Sequence, residues 1–208
     1  MNVLKRAAFG LARKHIVFSL KVSQPTLFLT FDDGPHPVHT PALLEMLAGL
    51  GVRASFFLVG KSATAHPEIV AAIVAAGHTL GNHSYSHRKR RTMTWAVARS
   101  DIASTDAVLA RFDGRSKHPF RPPWGEVAPM QLVRCILAQD QLILWSRDSL
   151  DYRQDAPSIV ADIRRSPPVS GDIILFHDDR AVAQEALAVL IPEWQAHGFA
   201  FDALPAIT

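Results

Sequence analysis

The chain has 208 residues, 48% hydrophobic and 20% charged, which supports one large globular domain and excludes a disordered or low-complexity protein. Its formal charge of +3 is small and local, held in Lys5, Arg6, Arg13, Lys14 and Lys21 and in the run Arg88-Lys89-Arg90-Arg91, with no broad basic face to indicate nucleic acid. The single cysteine, Cys135, excludes a disulfide framework and any multi-cysteine zinc site, and no stretch reaches the roughly twenty apolar residues of a membrane span.

Residues 1–22 read as an N-terminal extension. Residues 1–15 can form a helix with Leu4, Ala7, Ala8 and Leu11 on one face, lying on the domain or on an anionic membrane surface, and 15–22 an extra strand. Arg13 and Lys14 interrupt the apolar run and no small-residue cleavage site follows, so no signal peptide is read and a cytoplasmic address is expected. In residues 26–32, Leu27, Leu29 and Phe31 alternate with Phe28 and Thr30, a strand buried on both faces that Gly34-Pro35 forbids to continue. Asp32 and Asp33 therefore stand at its C-terminal lip. Adjacent carboxylates repel unless something separates them; a metal for one and an arginine for the other is one solution, a solvated polar turn the other.

A helix is expected from Pro41 to Gly51, a strand over 54–59, a helix over 67–76 closed by Gly77, and a strand over 78–82. A long helix over 93–112, a short strand over 119–121, a helix over 129–139 and a strand over 141–146 follow, then a helix over 157–165, an apolar strand over 172–177, a helix over 181–196 and a last strand over 199–202. About seven strands alternating with about six helices imply an α/β fold, a mostly parallel sheet with outer helices, either a closed barrel or a doubly wound open sheet. In both, chemistry gathers at the C-terminal strand ends. Asp32, Asp33, His83, His87, Arg121, Asp148, Asp151 and His177 all end or closely follow an expected strand.

His83 and His87 are spaced i, i+4, which stacks two imidazoles on one face of a helical turn; with ten histidines in the chain, roughly half of one such pair arises by chance. Two histidines and a carboxylate make the three-ligand set of catalytic zinc sites, and Asp33 is the candidate third ligand. Arg121, between Phe120 and two prolines, suits a buried carboxylate. Trp124-Gly125 supplies a turn able to turn a backbone N–H towards a substrate oxygen, and His177, after an apolar strand, is either a tuned imidazole or a core histidine.

The motifs Thr30-Phe31-Asp32-Asp33-Gly34-Pro35, His83-Ser84-Tyr85-Ser86-His87, Arg121-Pro122-Pro123-Trp124-Gly125, Asp148-Ser149-Leu150-Asp151-Tyr152 and Leu175-Phe176-His177 resemble, in content and order, the five motifs of the polysaccharide deacetylase (NodB-homology, carbohydrate esterase family 4) domain. The resemblance spans residues 26 to 202 and implies one such domain over 23–208, with the distorted (β/α)7-type barrel of the family. It implies Asp33, His83 and His87 as metal ligands, Asp32 as base, Arg121 holding Asp32, and the Trp124 backbone on the oxyanion. His177 would be the acid, Leu175 would line the acetyl pocket, and an acid of the fourth motif, Asp151 ahead of Asp148, would orient His177 or Arg121. Trp124 replaces a frequent tyrosine, and Tyr152 a usual tryptophan of the substrate groove.

The implied activity is hydrolysis of an N-acetyl group from an N-acetylated glycan, with zinc expected and Co2+, Ni2+ or Mn2+ able to occupy the same ligands. The rivals are a carbohydrate-binding metal module without catalysis and a hydrolase of cyclic amides. A soluble or lipid-linked sugar intermediate is the expected substrate, which the run 88–91 would help to hold through a phosphate or an anionic membrane surface.

Overall fold

The computed structural model describes residues 16–127 and 141–205; the helices expected over 1–15 and 129–139, and Cys135, lie outside the described residues. In chain order the strands are β1 (Ile16–Val17), β2 (Thr26–Asp32), β3 (Ser55–Leu58), β4 (Thr79–Asn82), β5 (Leu142–Ile143), β6 (Arg147–Asp148), β7 (Ile173–His177) and β8 (Ala200–Phe201). The helices are α1 (His39–Gly49), α2 (Gly60–Ala65), α3 (Pro67–Ala75), α4 (Trp95–Asp113), α5 (Ala156–Arg165) and α6 (Ala181–Ala196).

Strand β2 is the axis of the sheet. It pairs in parallel with β7 from Phe28 to Asp32 on one side, and on the other with β8 at its start and β3 at its end. Beyond β3 lies β4, and beyond β7 lies β6. Phe120 bridges Asn82 of β4 to Leu142 of β5, with β1 alongside, and residues 142–148 lead from β5 into β6 to close the ring. The result is a distorted parallel barrel with helices outside, the closed alternative of the two architectures expected.

The alternation along β2 divides the core. Leu27, Leu29 and Phe31 face outward under the helices, in one cluster with Leu43 and Leu47 of α1, Ile73 of α3, Ile159 of α5 and Leu187 and Leu190 of α6. Phe28 faces inward and fills the floor of the barrel with Phe57, Ile143 and Ile173. Each such side chain contributes about 1.5–3 kcal/mol of burial, so the floor is dry and well packed. Thr30 and Asp32, also inward, stand above it, and polar chemistry begins one strand residue above an apolar plug.

Three elements differ from expectation. The strand at 119–121 is reduced to the single residue Phe120, which bridges to Asn82 and to Leu142, because the flanking prolines have no N–H for a ladder. The strand at 141–146 splits because its partner changes: Leu144 N donates to the Val17 carbonyl, Ser146 N to that of Ile173. Helix α2 is additional. Gly60 suggests a break, yet the absence of a Cβ is what lets Tyr85 and Thr105 pack against it.

Candidate active site

Above the floor lies Arg121, with no solvent exposure. Its Nη1 donates to Asp32 Oδ1 (2.7 Å) and Thr30 Oγ1 (2.9 Å), its Nε to the Ile143 carbonyl (3.2 Å) and its Nη2 to the Leu144 carbonyl (3.1 Å). The Phe57 ring lies 4.1 Å from the guanidinium carbon, in space left by Gly81 of β4, where a Cβ would collide with that ring. A charge so far from water requires this many partners. Thr30, a polar residue within an apolar strand, was the visible signal for this network; its hydroxyl also donates to the Ile174 carbonyl (2.8 Å).

The two adjacent acids are separated as the repulsion argument requires. Asp32 is buried, with Oδ1 on Arg121 and Oδ2 3.7 Å from His83 Nε2. Asp33, at φ 75°, turns the other way, and its Oδ1 lies 2.9 Å from His87 Nε2 and 3.4 Å from His83 Nε2. Ligand atoms of Asp33, His83 and His87 all fall within 4.8 Å of one another. His83 Nδ1 meets the Arg121 carbonyl at 2.9 Å; a carbonyl only accepts, so Nδ1 carries the proton and Nε2 presents its lone pair to the cluster. Asp33 Oδ1 is buried without a donor in bonding geometry, as a metal ligand would be. Burial opposes the charge on Asp33; with no cation present, protonated His83 and His87 would outweigh it and hold the carboxyl below the usual range. The residues fit a divalent cation.

The histidine pair is not on a helix. The loop after β4 carries Ser84 at φ 65° and His87 at φ 49°, and the rings still come within 5.0 Å of each other. The i, i+4 spacing correctly joined the two residues to one site, but side-chain turns replace helical hydrogen bonds.

Beside Asp32, at the end of the adjacent strand, His177 is its ladder neighbour. Asp151 accepts from the His177 backbone N–H (2.7 Å, Oδ2) and faces its Nδ1 (2.7 Å, Oδ1). Burial alone would lower the imidazole pKa; Asp151, with Asp32 and Asp33 beyond, pushes it up to about 9. Asp148 instead accepts from Leu150 N–H (2.9 Å) and does not meet the imidazole nitrogen, and burial raises its pKa. Of the two candidate acids, Asp151 is therefore the one on His177, while Arg121 is held by other groups.

Asp32, Asp33, His83, His87 and His177 line a cavity of about 370 Å³ together with Asp148, Leu175, Trp124 and Tyr152. Trp124 (61% exposed) lies beside His87 and Tyr152 (43% exposed) edge-on to His177, one aromatic on each lip. Trp145, Asp179 and Arg180 also line it and were not anticipated. Nor was Asp178, a fully buried acid that accepts from Thr40 Oγ1 (2.5 Å) against Gly34 and is pushed up by burial to about 7.

The polysaccharide deacetylase family model matches residues 19–134. The chain belongs to the polysaccharide deacetylase family. Its relatives in that family include a peptidoglycan-N-acetylglucosamine deacetylase of Bacillus cereus, 31% identical over 91% of this chain and 70% of that protein. A chitooligosaccharide deacetylase of Azorhizobium caulinodans is 32% identical over 88% of this chain and 94% of its own length. Among family structures, a peptidoglycan N-acetylglucosamine deacetylase in complex with 4-naphthalen-1-yl-N-oxidanyl-benzamide superposes with a TM-score of 0.88 at 32% identity, covering 96% of this chain and 95% of that one.

Proposed function

We propose that the protein is a metal-dependent hydrolase that removes the N-acetyl group from an N-acetylated amino sugar within a glycan. The observation that carries this reading is the convergence of Asp33, His83 and His87 beside an arginine-held Asp32 and opposite an aspartate-held His177, in one cavity. Relatives over most of the chain are deacetylases of peptidoglycan and of chitooligosaccharide, which supports an acetamido sugar as substrate.

Asp33, His83 and His87 would hold the cation, with zinc the expected ion for a set of two imidazoles and one carboxylate. When bound, a divalent cation there supplies Lewis-acid polarisation of the acetamide carbonyl and a more acidic water. Asp32 takes the proton of the attacking water; its Oδ1 is occupied by Arg121, which leaves Oδ2 facing the site. The new C–O bond forms as that proton leaves. The Trp124 backbone N–H is assigned to the oxyanion. His177, kept charged by Asp151, delivers its proton to the amide nitrogen as the C–N bond breaks, giving acetate and a free amine. Leu175 is the wall for the acetyl methyl, Tyr152 a sugar platform, and Asp148 a polar wall of the same cavity.

The test is acetate release from N-acetylated oligosaccharides by protein loaded with Zn2+, measured against protein treated with chelator. Metal-dependent acetate is expected. Zn2+ bound without release of acetate from any acetylated glycan would favour the non-catalytic module.

A further inference from the structure

The loop carrying His83 and His87 has no helix to shape it, and its shape comes from one residue the motif does not include. Asn82, the last residue of β4, has no solvent exposure. Its Nδ2 donates to the Ile102 carbonyl (2.9 Å) and to Asp106 Oδ1 (2.9 Å), both on α4. Both partners only accept, so the amide has a single orientation and Oδ1 must face the loop. There it accepts from the Ser84 backbone N–H (2.9 Å), closing a turn that holds Ser84 at its left-handed φ. Ser84 Oγ then accepts from the His87 N–H (3.1 Å) and holds the second left-handed residue. The two turns, in series, place His87 back over His83.

What fixes Asn82 is itself fixed. Asp106 Oδ1 also meets His118 Nδ1 (3.1 Å), and His118 Nε2 meets Asp113 Oδ1 (3.1 Å), with the His118 side chain sealed from solvent. Asp101, one turn earlier on α4, accepts from the backbone N–H groups of Tyr85 and Ser86 (3.1 and 3.3 Å).

We infer that Asn82 is a positioning residue for the metal centre, its amide orientation imposed by Asp106, and that α4 thereby sets the geometry of His83 and His87. The inference rests on the reading that Asp33, His83 and His87 bind a metal. It is not a statement about fold stability, and it predicts a change in metal affinity by substitutions that touch no ligand.

The experiment titrates metal-free protein with Co2+ alone, following the visible absorption band of the bound ion, with thermal unfolding of each metal-free variant measured alongside. Wild type is expected to bind Co2+; failure to do so overturns the metal reading itself. Asn82→Ala and Asp106→Leu, which removes the acceptor that orients the amide, should each weaken Co2+ binding about 10–100-fold, as for other outer groups that orient ligands, and change the absorption band. Asn82→Asp should do the same by setting a carboxylate against Asp106. Asp106→Asn, whose side-chain oxygen can still accept from Asn82 Nδ2 and face His118 Nδ1, is the conservative control, and its affinity and band should stay close to those of wild type. Unchanged Co2+ affinity in folded Asp106→Leu or Asn82→Ala overturns the inference, as does a loss in Asp106→Asn equal to that in Asp106→Leu; so does an effect confined to the unfolding midpoint.

Discussion

On the β2 wall of the cavity, Asp32 is paired with a guanidinium that has no exposure and hydrogen bonds in four directions; on the β7 wall, His177 hangs on a single carboxylate and remains partly open to the cavity. Both walls are ends of neighbouring parallel strands, so the sheet does not cause the difference. The proposed roles do. A base that must be charged when the water attacks is served by a partner that cannot lose its own proton, whereas an acid must give its proton away and needs a partner that favours the charged form without locking it. The charge on Asp32 is thus built into the core, and that on His177 is left adjustable.

Four substitutions break or sharpen this contrast. Arg121→Ala should be the most damaging, because it strands Asp32 in the barrel: a loss of about 3–5 kcal/mol in urea unfolding is expected, with acetate release abolished. Asp32→Asn should keep the fold and the metal content, read by elemental analysis, while turnover falls about 10²–10⁴-fold. Full turnover in that variant would remove the base role. Asp151→Asn should act through pH. In the metal-free wild type, His177 should titrate near 9 by NMR, and its interaction with Asp151 stabilises the fold in full below pH 6.5 and is lost as pH rises through about 9. In the variant the titration should drop towards the ordinary 6.5, with turnover at neutral pH reduced roughly tenfold. A His177 titration unchanged by the substitution would show that Asp151 does not set its charge. Trp124→Ala, on the exposed lip, should cost least: about 0.5–1.5 kcal/mol of aromatic contact, seen as a few-fold rise in KM with kcat little changed.

The same contrast decides what was legible in the sequence. Asp32, Asp33, His83, His87, Arg121 and His177 end or closely follow expected strands, next to breakers or apolar runs, and their gathering at one end of the barrel follows from the alternation of elements. The choice between Asp151 and Asp148 does not, because it depends on which carboxylate of one loop turns back to the β7 end. The helical reading of the histidine pair failed for a related reason: spacing says which residues can meet, while Asn82 and Ser84, whose side chains close the turns, say how. Asp106, Asp113 and His118 belong to no motif and are joined only by tertiary packing against α4. The split of the strand at 141–146 likewise lies in its partners, β1 and β7, not in its residues.

The ladder pairing of Asp32 with His177 has one more consequence. Neighbouring strands are spaced by about 4.8 Å wherever parallel sheets occur, so the backbone separation of the proposed base and the proposed acid is set by the sheet, while Arg121 and Asp151 aim the two side chains. Trp124, Tyr152 and Arg180, by contrast, stand beyond the strand ends. Such a molecule can exchange its rim for another and meet a different sugar without moving the two backbone positions from which the proposed base and acid extend. The sheet serves as the gauge block, and the loops as interchangeable jaws.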